Sequence, residues 1–128
     1  VLVETASIFY LMVTVDRAEW DEIYAALARD ERRELLRYLK DVQVAQFEEV
    51  AQHLLKRENG SAEEKFDAMR IRLHHMHLPN LVETGLLTWD SHQNQVTLTT
   101  LGSQLPDELT DPSMIPSPSA GDKKRALD

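Results

Sequence analysis

The sequence contains no cysteine and only four glycines. Without thiols the chain can build no disulfide, no thiolate metal site and no redox switch, and a reducing, cytoplasmic setting is the weak expectation. No phosphate-cradling glycine loop or dinucleotide fingerprint is present. No nucleophile sits in an elbow motif, and no carboxylate pair stands out from the acidic background. The expectation is therefore a protein that is not an enzyme and carries no cofactor. Long apolar runs are also lacking, since none approaches the roughly 20 residues that span a bilayer. The N-terminal VLVETASIFYLMVTV comes closest, but it is short, contains Glu4 and lacks the basic start of a signal peptide. It reads as a packing element or, through Ile8, Phe9, Leu11, Met12 and Val13, as a dimer contact.

At 128 residues and 42 % hydrophobic content the chain fits one globular domain with tails. Its 22 acidic residues outweigh 14 basic ones, a net charge of −8 that opposes indiscriminate binding to phosphate. The acids are unevenly placed. Residues 68–82 contain none and hold Arg70, Arg72, His74, His75 and His77. Arginine outnumbers lysine 9 to 5, a bias that a salt-adapted cytoplasm would explain.

Periodicity and capping residues divide the chain. Asp16 with Glu19 predicts a helix through RAEWDEIYAALA. Asp30 caps a second, ERRELLRYLK, with Leu35, Leu36 and Leu39 buried and Arg32, Arg33 and Arg37 outward. DVQVA reads as a short strand. Phe47, Val50, Ala51 and Leu54 mark the buried stripe of a third helix, which Gly60 stops. Ser61 and Glu64 form a capping box for a fourth, running from about Ala62 to Thr84 with an interruption at Pro79 and an end at Gly85. LLTW and QVTLT, joined by DSHQN, read as a hairpin. The polar stretch from Ser103 reads as a disordered tail.

This order predicts an α+β fold, mainly helical, in a winged helix-turn-helix layout with a two- to three-stranded wing sheet. The boundaries are an N-terminal segment over 1–15, the winged domain over 16–101 and a tail over 102–128.

HLPNLVETGLLTW resembles the end of the recognition helix and first wing strand of ArsR-type winged-helix regulators. His77, Leu78, Leu81, Gly85, Leu86 and Leu87 fall on that pattern, and Thr84 replaces the usual alanine. DERRELLRYLKD, the ENG turn and HLPNL before a hairpin are similar to a haloarchaeal winged-helix domain of unassigned function. The resemblance covers about residues 20–101. It implies the fold, a DNA-binding transcriptional role and a partly buried, hydrogen-bonded His77. Cysteine-based metal sensing is ruled out by composition.

For RIRLHHMHLPNL three readings compete. His74 and His77, three apart, share a helix face and form a possible zinc pair, but no spacing demands further ligands, so no metal is expected. Met69, Leu73, Met76 or His77, and Leu81 form a core stripe. Arg70, Arg72, His74 and His75 are left to contact a DNA major groove, with His92, Gln93 and Asn94 in the wing. In a salt-rich cell screening falls to about 3 Å near 1 M, so affinity would rest on contact-range readout by a homodimer on double-stranded DNA. The alternative is a protein-interaction module on the same fold. The two differ in one respect. DNA binding requires Arg70 and Arg72 exposed on one positive surface, whereas an interaction module buries them or neutralises them with nearby acids.

Overall fold

The computed structural model describes residues 16–57 and 63–111. The N-terminal apolar segment, the Gly60 stop and the Ser61 half of the capping box lie outside the described residues. Asp16 caps α1 (Arg17–Ala26), its carboxylate accepting from the Glu19 N–H at 2.8 Å. The next helix, α2 (Asp30–Val42), begins on Asp30 rather than after it. Asp30 lies in the first turn, where the helix dipole favours its charge, and pairs with Arg33 at 3.6 Å and Arg57 at 2.7 Å.

Strand β1 (Val44–Gln46), α3 (Phe47–Arg57) and α4 (Glu63–Arg72) follow. A π-helical turn over Leu73–His77 leads into α5 (Leu78–Glu83). The hairpin β2 (Leu87–Asp90) and β3 (Gln95–Leu98) comes next, then α6 (Thr100–Gln104) and a 3-10 turn over Asp107–Leu109. The antiparallel sheet has the order β1-β3-β2, with Val96 opposite both Ala45 and Trp89. Among the described residues, a mostly helical body with this small three-stranded sheet makes an α+β, winged-helix-like fold. Leu35, Leu36 and Leu39 of α2, Val50 and Leu54 of α3, Met69, Leu73 and Leu81 along α4–α5, and Leu86, Leu87 and Val96 share one core.

Pro79 does not end its helix. Lacking an N–H, it cannot bond to the preceding turn, and the backbone widens so that the Leu78 N–H reaches the Leu73 carbonyl five residues back. Helix α5 then closes in a two-bond glycine cap, Gly85 N–H to Val82 O and Leu86 N–H to Leu81 O, both 3.0 Å. Gly85 takes the positive φ of 80° that this cap requires.

The hairpin tip is fixed by hydrogen bonds that backbone N–H groups donate. The Asp90 carboxylate accepts from the His92 and Gln93 N–H groups at 2.9 and 3.2 Å. Asn94 has φ 56°, and its carbonyl accepts from the Phe47 N–H at 2.8 Å, joining wing to α3. Asn94→Gly should therefore leave stability within about 0.5 kcal/mol, whereas Asn94→Val should lower it by about 1–2 kcal/mol. Equal melting temperatures for the two variants would refute this account of the turn.

Two further expectations are corrected. Arg32 and Arg33 point inward, at 9 % and 5 % exposure, and only Arg37 of the three is exposed. They cross the α1–α2 corner, where Arg33 donates to Leu27 O at 2.7 Å. Their long stems also help to fill the corner. The ordered fold also runs on past residue 101. Leu105 and Thr110 are buried, and Lys40 binds both the Leu105 carbonyl and Asp107. The polar composition of the stretch from Ser103 hid these anchors. The further tail lies outside the described residues.

Candidate interaction interface

Residues two apart on an α-helix are separated by about 200° around its axis, so Arg70 and Arg72 cannot share a face. Arg72 turns toward α2, where its Nε and Nη2 meet the two Glu31 carboxylate oxygens at 3.2 and 2.9 Å. Such two-point pairing is among the stronger charge-assisted contacts. Arg70 turns toward α3, pairing with Glu48 at 3.0 Å. Its guanidinium carbon lies 5.9 Å from the ring centres of both Phe47 and Phe66. The face between them, opposite buried Met69 and Leu73, presents Glu64, Asp67, Ala68, Ile71 and His75. Ile71 is 61 % exposed. The helix thus turns an acidic and apolar surface outward, and the arginines lie on its flanks.

The three histidines separate. His74 is exposed and meets the Trp89 ring edge-on at 4.8 Å, with Phe47 behind it at 6.3 Å. His75, also exposed, has its ring centre 4.6 Å from that of His74. His77 is buried. It, rather than Met76, completes the inward stripe, because the π turn carries Met76 to the surface. His92 and Gln93 are exposed at the hairpin tip, whereas half-buried Asn94 serves the turn through its backbone.

His77 joins a buried polar chain. Its Nδ1 accepts from Arg32 Nε at 3.1 Å, and its Nε2 lies 2.7 Å from Glu31 Oε1. A guanidinium can only donate, so Nδ1 must carry a lone pair and the proton must sit on Nε2, which donates to Glu31. Burial, and after it the nearby Arg29 charge, lowers the Arg32 pKa below its ordinary value. Arg32, His77, Glu31 and Arg72 therefore form one chain of bonds fastening the α4–α5 rod to α2. With both ring nitrogens taken, His77 has none left for a metal. Among the described residues no group of three or more metal-ligating side chains comes together.

Sequence reasoning did not assign Glu31, Glu48 or Phe66 to the site, and it read Phe47 only as core. The two-residue spacing of Arg70 and Arg72 was available as a signal. The carboxylates that meet them come from other helices, so only the tertiary structure pairs them. On another face, a cleft of about 300 Å³ lies between α2, α3 and residues 107–111. Its Glu34 is already engaged by Arg37 at 3.0 Å and His53 at 2.7 Å, with His53 stacked on Tyr38. No helix among the described residues is long and apolar enough to cross a membrane.

No curated protein and no solved structure matches the chain. A family model does match, described as a domain of unknown function, DUF7344, over residues 24–97. That span is more than half of the chain and runs from α1 to the second wing strand. The chain belongs to the DUF7344 domain family.

Proposed function

We propose that this protein is a protein-protein interaction module on a winged-helix-like fold, with the outward face of α4 as its contact surface. The observation that carries this reading is the neutralisation of both arginines, Arg72 by Glu31 and Arg70 by Glu48, on opposite flanks of a helix whose outward face bears Glu64, Asp67 and Ile71. Where a helix-turn-helix meets DNA, its first helix crosses the phosphate backbone and the start of its recognition helix reads bases. The corresponding turns here carry Glu48 and Glu49 on α3 and Glu63 and Glu64 on α4, with Asp67 in the next turn, and Asp90 lies in the wing. A carboxylate about 4 Å from a phosphate is repelled by about 1 kcal/mol even at the dielectric of water. An exposed isoleucine flanked by acids suits a protein surface better than a groove of phosphates.

A second reading, a DNA-binding transcriptional regulator, has support from the element order and from the resemblance to ArsR-type regulators. The Arg70–Glu48 pair is exposed on both sides and is worth about 0–1 kcal/mol, so a phosphate can compete for Arg70. His75 on the helix and His92 and Gln93 at the hairpin tip are exposed and can donate hydrogen bonds. A cytoplasmic homodimer belongs to either reading.

Fluorescence anisotropy on random and native upstream duplexes, in low and near-molar salt, decides between them. Under the interaction reading neither salt gives discrimination among duplexes, and Arg70→Ala/Arg72→Ala binds as the wild type does. Sequence-selective binding that the double variant loses would establish the regulator and overturn the interaction module.

A further inference from the structure

The immediate surroundings of Arg70 are those of a receptor for a guanidinium group. Its charged carbon is equidistant, at 5.9 Å, from two aromatic rings on different helices, Phe47 at the start of α3 and Phe66 on α4. The Glu48 carboxylate approaches its Nη2 to 3.0 Å. Phe47 is buried and Phe66 half-buried, whereas the Arg70 and Glu48 side chains remain 44 % and 49 % exposed. The occupant is thus at the surface and its aromatic seat lies beneath it. Taking Arg70 away would uncover apolar ring surface next to a carboxylate, and Ile71, the next residue of the helix, lies about 100° around the axis.

We propose that Phe47, Phe66 and Glu48 form a guanidinium-binding cage that Arg70 fills within the isolated chain, and that an arginine from a basic, apolar-anchored segment of a protein partner enters in its place. This rests on the interaction reading and specifies the partner's chemistry. Arginine is preferred over lysine because its flat, weakly hydrated guanidinium covers ring faces while bonding a carboxylate through two N–H groups, whereas an ammonium is a compact, strongly hydrated charge. The carboxylates of Glu64 and Asp67 complement the remaining positive charge of such a segment, and Ile71 receives its apolar side chains. Displacement has a small penalty, since the exposed ion pair and the two ring contacts that Arg70 gives up are remade by the incoming guanidinium, and Arg70 can return to water.

The test uses the full chain and short amphipathic peptides with leucine anchors, identical except that one carries arginines and the other lysines. Binding is followed by anisotropy of a label on the peptide. Arg70→Ala is expected to bind the arginine peptide about five-fold more tightly than wild type, while Arg17→Ala, which changes net charge equally on α1, shifts affinity less than two-fold. The lysine peptide should gain less than two-fold from Arg70→Ala. Adding Glu48→Gln to Arg70→Ala should remove the gain, whereas Glu83→Gln in that background should not. An Arg70→Ala affinity equal to that of Arg17→Ala, or equal gains for both peptides, overturns the cage. So does absence of arginine-peptide binding to both wild type and Arg70→Ala. Weakening by Ile71→Ser without strengthening by Arg70→Ala would sink the cage and leave the interaction reading standing. Duplex discrimination together with indifference to Ile71→Ser would overturn both.

Discussion

Replacing His77 with leucine should lower unfolding stability by about 3 kcal/mol, although the new side chain is apolar and similar in volume. The substitution removes the acceptor of Arg32 Nε and the donor to Glu31 Oε1. Glu31 keeps its contacts with Arg72, so the main loss falls on Arg32. That guanidinium is 9 % exposed, and its bond to Ala26 O is long at 3.5 Å. A buried donor stripped of its partner costs about 1–3 kcal/mol, more when charged, and breaking a buried ionic cluster costs about 3–5 kcal/mol. Removing the charge as well should restore much of the loss, because apolar side chains of similar volume can replace a buried polar cluster. Arg32→Met in the His77→Leu background should therefore recover at least about half of it. Urea unfolding of the two single variants and the double variant measures both quantities. A loss under about 1 kcal/mol for His77→Leu would mean that the chain from Arg32 to Arg72 does not hold the rod to α2.

The second large effect lies where the sequence promised only tail. Gly102→Ala should destabilise the protein by about 2–3 kcal/mol, against the usual advantage of up to about 1 kcal/mol for alanine over glycine in a helix. A Cβ at this position would stand 2.2 Å from the Leu86 carbonyl oxygen and 2.6 Å from Leu98 Cδ1. The flexible leucine can turn aside, but the carbonyl cannot. It accepts the Thr99 N–H at 3.2 Å, and Thr99 caps α6 through Gly102 N–H while donating its hydroxyl to Gly85 O at 2.6 Å. The methyl group therefore has to push α6 off the start of the wing. Differential scanning calorimetry should find the melting temperature lower by roughly 10 °C. A change of under about 2 °C would show that α6 is not seated on Leu86 in solution.

These two effects also mark where the sequence stopped being informative. Apolar spacing located α2, α3 and the rod from α4 to α5, because burial of one helix face leaves a period that can be read directly. Asp16, Gly85 and the DSHQN loop were legible for a similar reason, since caps and turns are satisfied by residues a few positions away. The sequence by itself therefore determined the element order as far as the wing, the Leu35–Leu36–Leu39 stripe, the hairpin and the winged-helix-like layout. It also held an overlooked fact, that a two-residue spacing sends Arg70 and Arg72 to opposite flanks. The tertiary structure alone decided what those arginines meet. Arg72 faces Glu31 across 41 residues of sequence, and Arg32 faces His77 across 45. Arg70 rests on a phenylalanine from another helix. No local pattern encodes such pairs, because a charged side chain takes its partner from whichever element packs beside it, and packing is settled by the whole core. The same packing leaves no room for a side chain at Gly102 and gives the helix that carries the apparently basic stretch an acidic and apolar outward face.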